Sequence, residues 1–133
     1  MLIFFHKLIS TITNSPARKN KLIIISTVIA IILNIAIWAI IYFLFRPHVI
    51  NLPEAQSFIP LHYNIYIGAD LYGKWYKIFY NPALGLLLMV INTILMAIIY
   101  NKKKIISYYL AIVSPIIQLL LLISTALAIL INL

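Results

Sequence analysis

The side chains best suited to chemistry lie in one segment of the chain. This segment contains His48, Glu54, His62 and Asp70, and imidazole and carboxylate groups are acceptable zinc ligands. Their spacing matches no standard metal site, and His62 and Asp70 could equally cap and brace a turn. The sequence contains no Ser-His-Asp pattern, Gly-rich phosphate loop or paired carboxylates. We therefore predict a protein that is not an enzyme, with no catalytic site, no metal site and no cofactor.

The composition indicates that the chain folds in lipid rather than in water. Of its 133 residues, 65% are hydrophobic and 9% are charged, and the mean hydropathy is +1.09. Soluble domains are about half apolar and about a quarter charged. No soluble core of this size could bury so much apolar surface. Cysteine is absent, which excludes disulfides and thiolate chemistry.

Three apolar stretches are long enough to cross a membrane, and they cover residues 22–45, 82–100 and 105–131. The first would be roughly 36 Å long as a helix, against roughly 30 Å of hydrocarbon. Arg46-Pro47 is predicted to stop it. Asn81 is a candidate N-cap for the second helix, with Pro82 in its first turn. Pro115 is expected to bend the third.

The segments between these helices complete the predicted organisation. Residues 1–21 form an N-terminal segment that lies on the membrane surface, because its apolar run is too short to span. Residues 46–81 form a long loop, and residues 101–104 form a tight turn. The predicted fold class is therefore an all-α membrane protein, with three transmembrane helices, an interfacial N-terminal segment and one structured extracellular loop.

The positive charge is concentrated on one predicted side of the membrane. The net charge is +8, and the cations that set the orientation are Arg18, Lys19, Lys21, Lys102, Lys103 and Lys104. The positive-inside rule places them in the cytoplasm. We predict a multi-pass protein of the cell membrane with a cytoplasmic N-terminus and an external C-terminus. Such cations orient the chain and favour anionic lipid, and they do not indicate a nucleic-acid partner.

Polar amides occur near the middle of each predicted span. They are Asn34, Asn92 and Gln118, each on a stripe of small or adaptable side chains. Amides can bond across helices, and small residues allow close approach. We therefore expect one buried layer of packing amides, with ligand binding or contact with another subunit as alternatives. No ionisable residue lies within the predicted spans, which argues against a transporter of ordinary design.

The centre of the long loop has the pattern of a strand. Apolar and polar residues alternate from Leu61 to Ile67. Gly68 permits a turn, Asp70 can close one, and Gly73 marks a second break. The aromatic and cationic residues 74–80 suit a membrane interface. The loop could be a rigid, self-bonded element or a recognition surface for a partner.

The loop also carries a resemblance. The stretch LHYNIYIGADLYG, from Leu61 to Gly73, resembles a motif between the first two helices of small uncharacterised bacterial membrane proteins, including those of reduced-genome, ultra-small bacteria. More loosely, it is similar to the family of unknown function that opens SdpI-type immunity proteins. The residues that carry the motif are His62, Tyr63, Asn64, Tyr66, Gly68, Asp70 and Gly73, with Pro60 before them. The resemblance implies a membrane-protein family without implying an activity.

These observations favour a protein that acts by association. It would be an accessory subunit of a membrane assembly or a homo-oligomer, so its partners would be membrane lipid and either another membrane protein or a second copy of itself. The alternative is an immunity or sensing protein that binds an external peptide or lipid through the loop.

Overall fold

The chain is mostly helical, with one small sheet. The computed structural model describes residues 2–53 and 58–133. Three helices are long and apolar enough to cross a membrane, and we call them the first, second and third span: Lys21–Val49, Trp75–Ile99 and Lys104–Asn132. A helix at Leu2–Thr13 precedes them. The expectation of an all-α fold is corrected by a two-stranded antiparallel hairpin between the first two spans.

The first span is longer than expected. An α-helix at Lys21–Ala39 continues through a π-helical segment at Ile40–Phe45 into a final turn at Arg46–Val49. The prediction that Arg46-Pro47 ends this helix was wrong. Pro47 occupies the first turn of the last segment, where a missing N–H costs little, and the wider π-helical turns precede it.

The second span also begins earlier than expected. A 3-10 turn at Trp75–Phe79 leads directly into the α-helix Tyr80–Ile99. Asn81 therefore lies inside the helix and is not its N-cap. Its side chain donates a hydrogen bond to Thr125 Oγ1 at 3.1 Å, on the third span. The helix ends in a tight turn, in which the Lys102 and Lys103 amides both bond the Ile99 carbonyl at 2.9 Å.

The N-terminal segment is attached to the second span by a buried serine. The hydroxyl of Ser15 donates to the Ala97 carbonyl at 2.9 Å. A 3-10 turn, Pro16–Lys19, follows and buries Ala17. Asn20 then caps the first span, because its Oδ1 accepts the amides of Leu22 at 3.1 Å and Ile23 at 3.3 Å. The six orientation cations consequently lie at one end of the bundle, which we call the basic end; the hairpin lies at the other, the hairpin end.

Two apolar cores stabilise the bundle, one near each end. The core at the hairpin end joins all three spans to the first strand of the hairpin, Phe58–Asn64. Its buried members are Ile37, Ile41, Phe45, Val49, Ile59, Ile78, Ala128 and Ile129. The smaller core at the basic end consists of Ala17, Ile23, Met96, Tyr100 and Ala111. The buried amides Asn34 and Gln118 lie between the two cores along the first and third spans.

Candidate functional site

The long loop forms a hairpin with an irregular register. Strand β1, Phe58–Asn64, pairs antiparallel with strand β2, Gly68–Lys74. The register shifts on both sides of His62, which leaves Leu61 and Asp70 without a directly opposite partner. Such bulges re-aim side chains relative to a regular strand pair. Sequence alternation predicted a strand at residues 61–67, of which only Leu61–Asn64 belong to β1, while residues 65–67 form the turn. β2 was not predicted, because Gly68 and Gly73 were interpreted as breaks.

His62 and Asp70 are hydrogen-bonded across the two strands. Nδ1 of His62 lies 2.7 Å from Oδ1 of Asp70, and the imidazole is mostly exposed. A carboxylate only accepts, so Nδ1 carries the donated proton. The pair closes the hairpin near its tip, which agrees with the bracing interpretation of these two residues.

No further ligand joins this pair in the described structure. Nδ1 of His48 lies 2.7 Å from the Leu44 carbonyl, one helical turn away on its own span. Glu54 lies outside the described residues. Among the residues described, no group of three His, Asp or Glu side chains is placed to hold a metal ion.

The tip of the hairpin is apolar and exposed. Asn64 Oδ1 accepts the Tyr66 amide at 3.0 Å, and Gly68 adopts a φ of 81°, which favours glycine. Between them, Ile65, Tyr66 and Ile67 are 84%, 92% and 71% exposed. The side chain of Tyr63 lies outside the described part of the structure. The turn therefore presents three consecutive apolar residues whose side chains do not pack into the core.

The body of the hairpin is fixed to the bundle. Asn132, at the end of the third span, donates to the Pro60 carbonyl at 2.8 Å. Ile59 is buried in the core and Leu61 packs against it. Gly73 faces Leu61 so closely that an added Cβ would lie 2.6 Å from Leu61 Cδ1. The exposed tip is thus carried on an anchored element.

Two of the three predicted packing amides meet inside the bundle. Nδ2 of Asn34 donates to Gln118 Oε1 at 3.1 Å and to the Pro82 carbonyl at 3.0 Å. Nε2 of Gln118 donates to the Gly85 carbonyl at 2.7 Å. Asn34 is 4% exposed and Gln118 is 1% exposed. All three spans therefore contribute to this contact, and the second does so through its backbone.

Asn92 does not belong to this layer, so the hypothesis of one layer of three amides was wrong. Its Nδ2 donates to Ser114 Oγ at 3.1 Å, nearer the basic end. The second span begins at Trp75 rather than at residue 82, so its middle is Leu87, which is closer to Gly85 than to Asn92. Within the described residues, every buried side-chain nitrogen and oxygen has a hydrogen-bond partner.

The basic end has its own polar cluster. Asn20 Nδ2 donates to the phenol oxygens of Tyr100 at 3.2 Å and Tyr108 at 3.1 Å. The ammonium of Lys104 lies 5.9 Å from the centre of the Tyr100 ring. The pKa of Tyr100 lies below its ordinary value, chiefly because of its hydrogen bond with Tyr108; Asn20 and Lys104 act in the same direction, and burial opposes them. The capping residue of the first span thereby ties all three spans together.

Comparison of the chain with protein-family models, with curated proteins and with solved structures finds no match. The resemblance of Leu61–Gly73 to small bacterial membrane proteins and to SdpI-type immunity proteins therefore remains a prediction.

Proposed function

We propose that this is a non-enzymatic membrane protein that acts by association, and that the hairpin tip is its contact surface. The basic end would lie in the cytoplasm and the hairpin outside the cell. The observation that carries the proposal is the exposure of Ile65, Tyr66 and Ile67 on an anchored turn. Tyrosine is enriched at the centres of protein interfaces, and these centres are more apolar than the rest of the surface.

The intramembrane amides support the same choice of surface. A span that associates through an amide needs an amide group facing outward. Asn34, Gln118 and Asn92 instead bond within the chain. The outward surface of the spans is mostly aliphatic, with some aromatic side chains, which suits lipid. Association with an accessory-subunit partner or with a second copy of the chain is therefore assigned to the hairpin.

Site-specific crosslinking in cells tests this proposal. A photo-crosslinking residue, p-benzoylphenylalanine, replaces Tyr66 at the tip, and the same residue replaces exposed Tyr109 at the basic end as the matched control. We expect light-dependent protein adducts from position 66 and none from position 109. An adduct with the chain itself indicates a homo-oligomer, and one with another protein indicates an accessory subunit. Adducts with lipid alone, together with purification as a lone monomer in mild detergent, would contradict the proposal.

The open sheet edge favours a second candidate, an immunity or sensing protein that binds an external peptide. The described sheet has two strands, so the outer edge of β2 has no strand beside it. An extended peptide can pair with such an edge through its backbone. Cells expressing the protein would then resist a peptide toxin, and Asp70→Ala, which releases His62, would abolish that resistance. Equal resistance in cells that express the unchanged protein and in cells that express Asp70→Ala would count against this candidate.

A further inference from the structure

Two cavities adjoin at the basic end and share one arginine. A groove of about 320 Å³ lies between the first and second spans; its apolar lining includes Ile23, Ile24, Val28, Met96 and Ala97. A second cavity of about 510 Å³ lies beside it and is lined by residues of the turn that ends in Arg18 and Lys19. Arg18 lines both. The chain thus places a cationic cavity directly at the mouth of an apolar one.

The cations of this end lack acidic partners in the described structure. The chain contains two acidic residues, and one of them, Asp70, pairs with His62 at the hairpin end. The other, Glu54, lies outside the described residues. Nη1 of Arg18 donates to the Thr13 carbonyl at 2.8 Å, a neutral acceptor. The charge at the mouth of the groove is therefore suited to an anion from outside the chain.

We propose that this groove binds one anionic phospholipid. Its phosphate would lie against Arg18 and Lys19, and one acyl chain would lie along Val28 and Met96. Guanidinium groups match phosphate geometry with paired hydrogen bonds. Basic pockets beside membrane-spanning helices recognise lipid headgroups by the same chemistry.

The dimensions fit the part of a lipid closest to its headgroup. Ile23 to Val28 covers roughly 7.5 Å of helix at about 1.5 Å per residue, which accommodates the first methylenes of one chain. Both flanking helices are apolar enough to cross a membrane, so the groove would open where acyl chains are abundant. A lipid bound here is held at both its phosphate and its chain, unlike lipid that only covers an aliphatic span.

Native mass spectrometry of the full chain in mild detergent tests the proposal. The probes are phosphatidylglycerol, phosphatidylcholine with the same chains, and glycerol phosphate, which lacks chains. We expect one phosphatidylglycerol per chain, roughly tenfold weaker binding of phosphatidylcholine, and no competition from glycerol phosphate. Equal binding of the two lipids, or effective competition by glycerol phosphate, would overturn the proposal.

Paired variants separate the headgroup contact from the groove. Arg18→Gln should weaken phosphatidylglycerol binding roughly tenfold, whereas Arg46→Gln at the hairpin end should not. Val28→Trp fills the groove and should abolish binding. Val90→Trp is its matched control, since Val28 is 48% and Val90 46% exposed, and Val90 lies outside the groove lining. Thermal melting verifies that each variant is folded, and Lys19→Gln replaces Arg18→Gln if that variant unfolds. Unchanged phosphatidylglycerol binding in folded Val28→Trp would overturn the assignment. Unchanged binding in the folded Arg18→Gln and Lys19→Gln variants would also overturn it.

Discussion

Single amides determine how the three spans fit together. Asn34 and Gln118 hydrogen-bond across the first and third spans, while Gly85 brings the second span close enough for its carbonyl to accept from Gln118. Within lipid such bonds contribute about 0.6–2 kcal/mol each, because the unfolded chain in the membrane also finds partners. The coupling between these residues should therefore be measurable.

Replacing the paired amides should reveal this coupling. Gln118→Leu removes two hydrogen bonds between spans and should lower the free energy of unfolding by about 1–3 kcal/mol. The double variant with Asn34→Leu should lose less than the two single losses together, because both variants remove the same contact. Asn34→Leu combined with Asn92→Leu should be additive. Denaturation in detergent followed by circular dichroism measures all five variants, and additivity in both pairs would refute the coupling.

The contact between Asn34 and Gln118 requires a residue as small as glycine at position 85. A Cβ at this position would lie 2.5 Å from Gln118 Oε1 and 3.0 Å from Asn34 Nδ2. Gly85→Ala should therefore cost roughly 1–3 kcal/mol of stability through overpacking. In a Gln118→Ala background the obstructing oxygen is gone, so the same change should cost much less. An equal loss in both backgrounds would show that the amide is not the cause.

Residue types alone predicted that Asn34 and Gln118 would be buried against other spans. They did not predict that Asn92 would bond Ser114, because depth was inferred from where each apolar stretch begins. Asn81-Pro82 has the composition of a helix start, yet aromatic residues 75–79 already turn as a 3-10 helix. Tertiary packing of Ile78 into the core favours that earlier start over the local signal.

At the scale of elements, the hairpin depends on its attachment to the third span. Alternation predicted a strand at residues 61–67, three residues later than β1. The two glycines were interpreted as breaks, so β2 was not predicted. Gly68 serves as a positive-φ residue after the turn, while Gly73 is a close contact with Leu61, so neither interrupts β2. An isolated hairpin is marginal in water, so packing against the bundle must supply its stability.

Asn132→Ala should loosen the hairpin without unfolding the spans. The variant removes the hydrogen bond to the Pro60 carbonyl at 2.8 Å, the direct polar link between β1 and the third span. Amide hydrogen exchange in β1 and β2 should become several-fold faster, while exchange in the spans stays unchanged. Asn101→Ala, in the exposed turn at the basic end, serves as the control. Unchanged exchange in the hairpin would show that apolar contacts alone hold it.

For the whole molecule, the arrangement of charge makes a definite prediction about orientation. The six cations at the basic end should lie in the cytoplasm and the hairpin outside. The sequence contains no cysteine, so an introduced cysteine would be the only thiol of the chain that can be labelled. Tyr66→Cys places a thiol at the exposed tip, Lys103→Cys places one at the exposed basic turn, and Ile35→Cys places one on the exposed outer side of the first span.

Labelling intact cells with a membrane-impermeant maleimide then reports the side on which each thiol lies. We expect Tyr66→Cys to react in intact cells, Lys103→Cys to react only after permeabilisation, and Ile35→Cys to react in neither case. Labelling of Lys103→Cys in intact cells would show that the orientation is the opposite of the predicted one. In that case the hairpin would face the cytoplasm, and any partner of its tip would have to be sought there. The lipid site would remain beside Arg18, because it depends on the groove and on local charge rather than on the side that the basic end faces.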